Sequence, residues 1–153
     1  MRSAKLFGTI RPPKIDPARL EEILAGSQGF RGYASPWGID PETRRPLDAL
    51  WPKAMGHGLW SSLWLDPHTD DVLGDITLGI IIKGDHYLYT GNGRRVGDLV
   101  PGTVFALCNK KKHGAYPRDS KNPSPLVFIT CEPSDVEEED WPQFCRAIAK
   151  KMP

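Results

Sequence analysis

Short apolar runs separated by Gly, Pro, Asn and Asp dominate the chain after residue 58. Each run has the length of a β-strand, and no helical spacing of apolar residues survives between the runs. Strands are predicted over 59–65, 76–83, 86–90, 95–99, 103–108 and 126–131. The turn signal at 91–93, Gly-Asn-Gly, predicts that the third and fourth of these strands form a hairpin. Evenly spaced short strands without helices between them predict a mainly β sandwich or barrel.

The first third of the chain predicts an edge strand over 5–10, a helix over about 17–25 and then a long structured loop. Asp16 is suited to cap the helix and Pro17 to occupy its first position. Between residues 26 and 57 the apolar residues show neither helical nor strand spacing, while scattered aromatic residues argue against disorder. We expect a lid or substrate-recognition element there, with a short helix near residues 51–55.

Helical spacing of apolar residues returns at the C-terminal end, where we expect a helix capped by Asp140 and packed outside the sheet. The apolar positions are Trp141, Phe144, Cys145 and Ile148.

Length, charge and cysteine content narrow the functional classes. The 153 residues suit one domain, over 1–153. Because 20 basic residues face 19 acidic ones, net charge does not indicate a nucleic-acid or acidic-membrane partner. No apolar run has the length of a membrane span or signal peptide. Three cysteines without a C-x-x-C pair predict a reducing, cytoplasmic compartment.

The run Lys110-Lys111-Lys112 is the strongest local charge feature of the sequence. Together with Arg94, Arg95 and Arg118 it either lines a basic mouth that attracts an acidic substrate or forms a solvated loop, which is the commoner role of like-charge runs.

The segment His68-Thr69-Asp70 has the spacing of a metal site. In an extended chain His68 and Asp70 face the same side, and His113 follows the predicted strand at 103–108. Two imidazoles and one carboxylate on one face of a metal leave the opposite face open, and this donor set suits iron(II). Manganese, cobalt or zinc could occupy the same ligands. The alternative is ordinary surface hydrogen bonding, because an H-x-D triplet often occurs by chance.

Residues 59–131 resemble the core of the iron(II)- and 2-oxoglutarate-dependent oxygenases, particularly the prolyl-hydroxylase-like group. The matching pieces are His68-Thr69-Asp70, the strand at 76–82, the hairpin at 86–92, Pro101-Gly102 with the strand after it, His113, and the strand at 126–130.

The resemblance implies a double-stranded β-helix, a jelly-roll or cupin-like barrel, over 58–132. A strand, helix and lid over 1–57 and a helix over 133–153 would flank it. It also implies that His68, Asp70 and His113 are catalytic iron(II) ligands. The co-substrates would be 2-oxoglutarate, converted to succinate, and dioxygen, with C–H oxidation of an unidentified primary substrate.

One departure concerns the group that anchors the far carboxylate of 2-oxoglutarate. The family usually has Arg or Lys at the opening of the closing strand, where this chain reads Asn122-Pro123-Ser124. Substitutes are Lys83, which corresponds to an anchoring Lys in Jumonji-like and asparaginyl-hydroxylase-like members, and the loop residues Arg118 and Lys121. Tyr87 and Tyr89 could offer hydroxyls, and Asn122, at the expected position itself, is the sixth candidate. The plain alternatives are a strand-end lysine with its head in water and tyrosines that only pack.

Two other functional classes stay open at this point. A cupin-like metalloprotein could use His68, Asp70 and Asp75 with Gly84 beyond them, although Pro101-Gly102 lies far upstream of His113 for the second cupin motif. A barrel that binds a ligand or protein without chemistry is favoured if the missing basic residue means that co-substrate binding is lost.

Overall fold

The structure is a computed structural model, and it describes residues 3–26, 33–34, 39–70 and 74–153. Within these ranges the strands are β1 (Ala4–Thr9), β2 (Tyr33–Ala34), β3 (Met55–Ser62), β4 (Leu65–His68), β5 (Ile76–Lys83), β6 (His86–Thr90), β7 (Arg95–Leu99), β8 (Thr103–Cys108), β9 (His113–Pro117) and β10 (Leu126–Glu132). The α-helices are α1 (Pro17–Gly26), α2 (Pro41–Leu50) and α3 (Trp141–Lys151), and a 3-10 turn covers Glu138–Asp140. None of these helices has the length and apolar character needed to cross a bilayer.

The strands form two antiparallel sheets. The larger has the order β1-β8-β5-β10-β3-β2, and the smaller has the order β4-β9-β6-β7. From β3 onward, the first strand pairs with the last, the second with the second to last, and so inward to the β6–β7 hairpin. A long antiparallel hairpin whose paired strands alternate between two sheets is a double-stranded β-helix. The fold class predicted from the sequence is therefore confirmed.

The large sheet is buried on both faces. Alternate residues of its central strands, such as Leu78, Ile80 and Val104, pack with the helices, while Ile81 and Phe105 face the small sheet. Burial on both sides explains why 76–82 reads as an almost unbroken apolar run. The main hydrophobic core therefore lies between the large sheet and the helices, and the space between the sheets is left for a cavity.

Several predicted elements agree with the structure. The first helix covers Pro17–Gly26, and Asp16 accepts a hydrogen bond from the Arg19 backbone N–H at 3.3 Å. The edge strand β1 pairs with β8 at one end of the large sheet. Helix α3 buries its apolar stripe in the main core. The cap is corrected, because the Asp140 carboxylate accepts from Glu137 N–H in the preceding turn and makes no cap bond to α3.

The expected loop at 26–57 is corrected where the structure describes it. Residues 41–50 form α2, and Leu47 and Leu50 of this helix belong to the main core. A helix that buries its side chains against the sheet is scaffold, not a lid. The helix expected near 51–55 is a turn that leads into β3. Residues 27–32 and 35–38 lie outside the described residues.

The strand predicted over 59–65 is also divided. β3 ends at Ser62 and β4 begins at Leu65, because the chain passes from the large sheet to the small one between them.

Candidate metal centre

Strand pairing brings the three expected metal ligands together. His68 is the last residue of β4 and His113 is the first of β9, and these two residues are directly paired in the small sheet. Asp70 follows two residues after His68, and its backbone N–H donates to the Asn109 carbonyl at 2.9 Å. One ligand atom from each side chain lies within 4.8 Å of the other two. The predicted triad is therefore a spatial cluster at one end of the barrel.

Both imidazole rings turn the same nitrogen toward the carboxylate. His113 Nε2 lies 2.9 Å from one oxygen of Asp70, and His68 Nε2 lies 3.2 Å from the other. The opposite nitrogens face backbone carbonyls, with His68 Nδ1 2.6 Å from Asp66 O and His113 Nδ1 3.1 Å from Lys111 O. Those carbonyls accept from Nδ1–H, so a neutral ring presents its Nε2 lone pair to the carboxylate. Such an arrangement needs a proton or a metal ion between the groups.

The electrostatics of the cluster keep its carboxylate ionised. Burial raises the pKa of Asp70, but hydrogen bonds from His113 and His68 together outweigh it and hold that pKa below its ordinary value. The hydrogen bond with Asp70 is the main reason that the pKa of His68 is raised. The cluster therefore holds an ionised carboxylate at neutral pH.

Asn109 supports the site and was missed by the sequence analysis. Its side chain is buried, accepts from Thr77 Oγ1 at 2.7 Å and donates to Gly74 O at 2.9 Å. The same residue supplies the carbonyl that holds the Asp70 backbone. The sequence signal was weak, because an Asn between an apolar strand and a lysine run is also typical of a turn.

A cavity of about 330 Å³ extends from the triad into the barrel. Its walls are mainly apolar and include Leu65, Ile81, Leu88, Leu99, Phe105 and Phe128. The lining also includes polar groups: Trp60 Nε1 donates to Thr130 Oγ1 at 2.8 Å, and Glu132 adds a second carboxylate. Among the described residues that line this cavity there is no Lys or Arg.

The six residues expected to hold a co-substrate carboxylate do not line the cavity. Tyr87 and Tyr89 lie on the outer face of the small sheet, because Leu88 between them points inward. Arg118 makes ion pairs with Asp85 at 2.8 Å and Asp98 at 3.0 Å. The remaining three, Lys83, Lys121 and Asn122, are exposed. Their placement gives no support to the expected role, since a carboxylate inside the barrel would meet none of them.

Asp75, from the cupin alternative, and His86 also lie apart from the triad. Asp75 accepts from Glu138 N–H at 3.0 Å and pairs with Lys110 at 3.2 Å, so it does not complete a cupin-type set with His68. His86 is fully buried, with its Nε2 2.8 Å from Leu63 O. Burial lowers the pKa of His86, as suits a neutral structural histidine.

Comparison with known proteins gives similarity in fold alone. No family model and no curated protein matches the sequence. Among solved structures, the chain is similar to a cupin superfamily protein from Desulfitobacterium hafniense, with 16% identity, a TM-score of 0.44 and coverage of 82% of this chain and 98% of that one.

Two further similar structures are of proteins that use or bind alpha-ketoglutarate. One is the non-heme alpha-ketoglutarate-dependent epimerase SnoN from nogalamycin biosynthesis, with 14% identity, a TM-score of 0.45 and coverage of 79% of this chain and 74% of that one. The other is a full-length protein from Neurospora crassa in complex with alpha-KG and thymine, with 14% identity, a TM-score of 0.39 and coverage of 99% and 74%. Because these identities and TM-scores are low, we assign the barrel from the strand order of this chain and not from the similar structures.

Proposed function

We propose that this chain is an iron(II)-dependent oxygenase whose metal is held by His68, Asp70 and His113. The observation that carries the proposal is the orientation of both rings, with each Nδ1 on a backbone carbonyl and each Nε2 on the same carboxylate. Ligating histidines are usually fixed in this way by a second hydrogen bond. A proton shared within the cluster would satisfy the same atoms, but it would not account for the apolar cavity beside them.

Each part of the site has a distinct task in this proposal. Bound iron(II) would supply the activation of dioxygen, as is typical of a two-histidine, one-carboxylate donor set. Asp70 offsets part of the metal charge, and the carbonyls of Asp66 and Lys111 keep the two Nε2 atoms aimed inward. The apolar walls hold an organic substrate against the open side of the metal and exclude water from it.

The residues fit the metal better than they fit 2-oxoglutarate. The open side of the triad could accept the chelating end of a keto acid, but the described cavity wall offers no cation for its far carboxylate. Glu132 would repel that carboxylate, and Thr77 Oγ1 already donates to Asn109. We therefore assign no step to 2-oxoglutarate. Dioxygenation, in which both oxygen atoms enter the substrate, balances without a further reductant.

Nitric oxide, a stand-in for dioxygen, tests the proposal without knowledge of the substrate. Protein loaded anaerobically with iron(II) should give the high-spin iron–nitrosyl signal in electron paramagnetic resonance. His68→Ala and His113→Ala should abolish the signal. His57→Ala is the matched control, because His57 lies beside Asp48 at 3.5 Å and outside the triad. A full signal in His113→Ala, or none in the natural protein, would overturn the proposal.

The same anaerobic sample separates the two kinds of oxygenase. If 2-oxoglutarate chelated the iron, its addition would produce a weak visible absorption band that His68→Ala loses. We expect no such band, because no cation of the described cavity wall meets the far carboxylate. A band together with the nitrosyl signal would restore 2-oxoglutarate as co-substrate and leave the metal assignment intact.

A further inference from the structure

A second concave surface lies between the edges of the two sheets. It runs between β1 of the large sheet and the β6–β7 hairpin of the small sheet, and its volume is about 680 Å³. No described residue lines both this groove and the cavity of the metal centre. The groove is therefore a separate site, and what it binds does not depend on the proposed oxygenase.

The groove is strongly basic. Its described lining includes Lys5, Arg94, Arg95, Lys111 and Lys112 and contains no Asp or Glu. Of these, Lys5, Arg94 and Lys112 have no acidic partner within 4.0 Å among the described residues. Arg95 pairs with Asp98 at 2.7 Å, and Lys111 lies 3.9 Å from Glu138. Several positive charges therefore face one space without compensation, which favours an anionic ligand.

The backbone that carries these charges is held in place. Gly91 N–H donates to Lys112 O at 2.8 Å and joins the hairpin to the lysine run. Within the hairpin, Thr90 N–H donates to Arg94 O at 2.9 Å, and the Asn92 side chain accepts from Arg94 N–H at 3.1 Å. Arg94 and Lys112 thus project from two connected segments. The lysine side chains are exposed, as the alternative of a solvated loop expects, but the backbone of the run is fixed to the hairpin.

Carboxylates mark the limits of the basic surface. Asp98 lies beyond Arg95, Glu138 lies beside Lys111, and Asp75 lies beside Lys110. An extended polyanion would have to cross these negative groups, and the net charge of the chain is only +1. A compact ligand would meet only the cations between them. The distribution of charge therefore favours a small multivalent anion over a nucleic acid.

We propose that this groove binds a small phosphorylated molecule through two or more phosphate groups, with Arg94 and Lys112 as the principal contacts. Arg presents a planar fork of donors to phosphate oxygens, and Lys adds a point charge. The two sites share a backbone segment, because Lys111 lines the groove and its carbonyl accepts from His113 Nδ1.

Calorimetric titration of the full chain with tripolyphosphate, without added metal, tests this site. The double variant Arg94→Gln/Lys112→Gln should weaken binding by about tenfold or more, because each lost contact is a charge-assisted hydrogen bond. The matched control is Lys53→Gln/Lys121→Gln, which removes the same charge from exposed positions outside the groove. This control should leave the affinity within about twofold, as expected for sites that make no contact with the anion.

Two further titrations decide at which site the anion binds and which class of ligand the groove prefers. His68→Ala should retain the affinity for tripolyphosphate, and its loss there would place the anion at the metal centre and overturn the proposal. Equal binding by the Arg94→Gln/Lys112→Gln variant, or no binding by the natural chain, would also overturn it. A single-stranded oligonucleotide that bound more tightly than tripolyphosphate and was lost in the same variant would replace the small ligand with a nucleic acid.

Discussion

At the scale of single residues, the site depends on backbone atoms as much as on ligands. The spacing of His68 and Asp70 predicted that both would face one side, and the position of His113 just past the strand at 103–108 predicted that it could lie opposite them. The carbonyls of Asp66 and Lys111, which fix the rings, left no trace in the sequence because any residue supplies a carbonyl. Asn109 acts through contacts with Thr77 and Gly74 that are distant in sequence.

Replacing the carboxylate of the triad should remove most of the iron affinity. Asp70→Asn keeps the shape of the side chain but loses the negative ligand, so iron(II) affinity should fall by more than about 100-fold, the upper range for supporting residues. Competition with a coloured chelator under nitrogen measures it. Asp66→Asn is the control, because its side chain accepts from Tyr116 OH at 3.0 Å and only its backbone carbonyl meets His68. Similar affinities in the two variants would contradict the ligand assignment.

His86 should make stability depend on pH. Burial lowers its pKa from the ordinary 6.5. As pH falls below 6.5, the unfolded chain takes up this proton first, and the stability that neutral His86 provides at higher pH is lost until the folded group also protonates.

His86→Gln removes that dependence. The free energy of unfolding of the natural protein, minus that of the variant, should decrease between about pH 7.5 and pH 5. The opposite contribution of His68 is common to both proteins and cancels. Denaturant titrations of metal-free protein at each pH provide the comparison, and parallel pH curves would show that His86 does not titrate differently in the folded state.

At the scale of elements, strands bounded by turn residues were predictable, whereas β9 and α2 were not. The turn signal at 91–93 was enough to predict that β6 and β7 form a hairpin. Both strands have the bounds that the sequence predicted. β9 was missed because His-Gly-Ala-Tyr-Pro has little strand character and gains its pairing from β4 and β6. α2 was missed because Pro46 lies inside the helix, where proline is usually excluded.

The scaffold role of α2 has a direct test in stability. Leu47 is fully buried in the main core, so Leu47→Ala should lower the free energy of unfolding by about 2–5 kcal/mol. Arg45→Ala, at an exposed position of the same helix, should change it by less than about 0.5 kcal/mol. Denaturant unfolding followed by circular dichroism measures both. A small effect of Leu47→Ala would return α2 to the role of a loosely packed lid.

At the scale of the whole molecule, the strand pairing determines what the fold can hold. The paired strands close a barrel, and the main hydrophobic core lies between the large sheet and the helices. The space between the two sheets can therefore contain a cavity and a polar triad. The pattern of strands predicted a barrel, but the cavity and the basic groove arise from sheet edges and faces that meet only in three dimensions. This explains why the expected co-substrate residues, chosen by position in the sequence, lie outside the barrel.

Anomalous diffraction at the iron edge from crystals grown with iron(II) under nitrogen is the most direct test of the metal centre. We expect a single strong peak within bonding distance of His68 Nε2, His113 Nε2 and an Asp70 carboxylate oxygen, with the remaining side open to the cavity. A peak at other residues, or an iron-free triad with a proton shared between Asp70 and the two rings, would contradict the account.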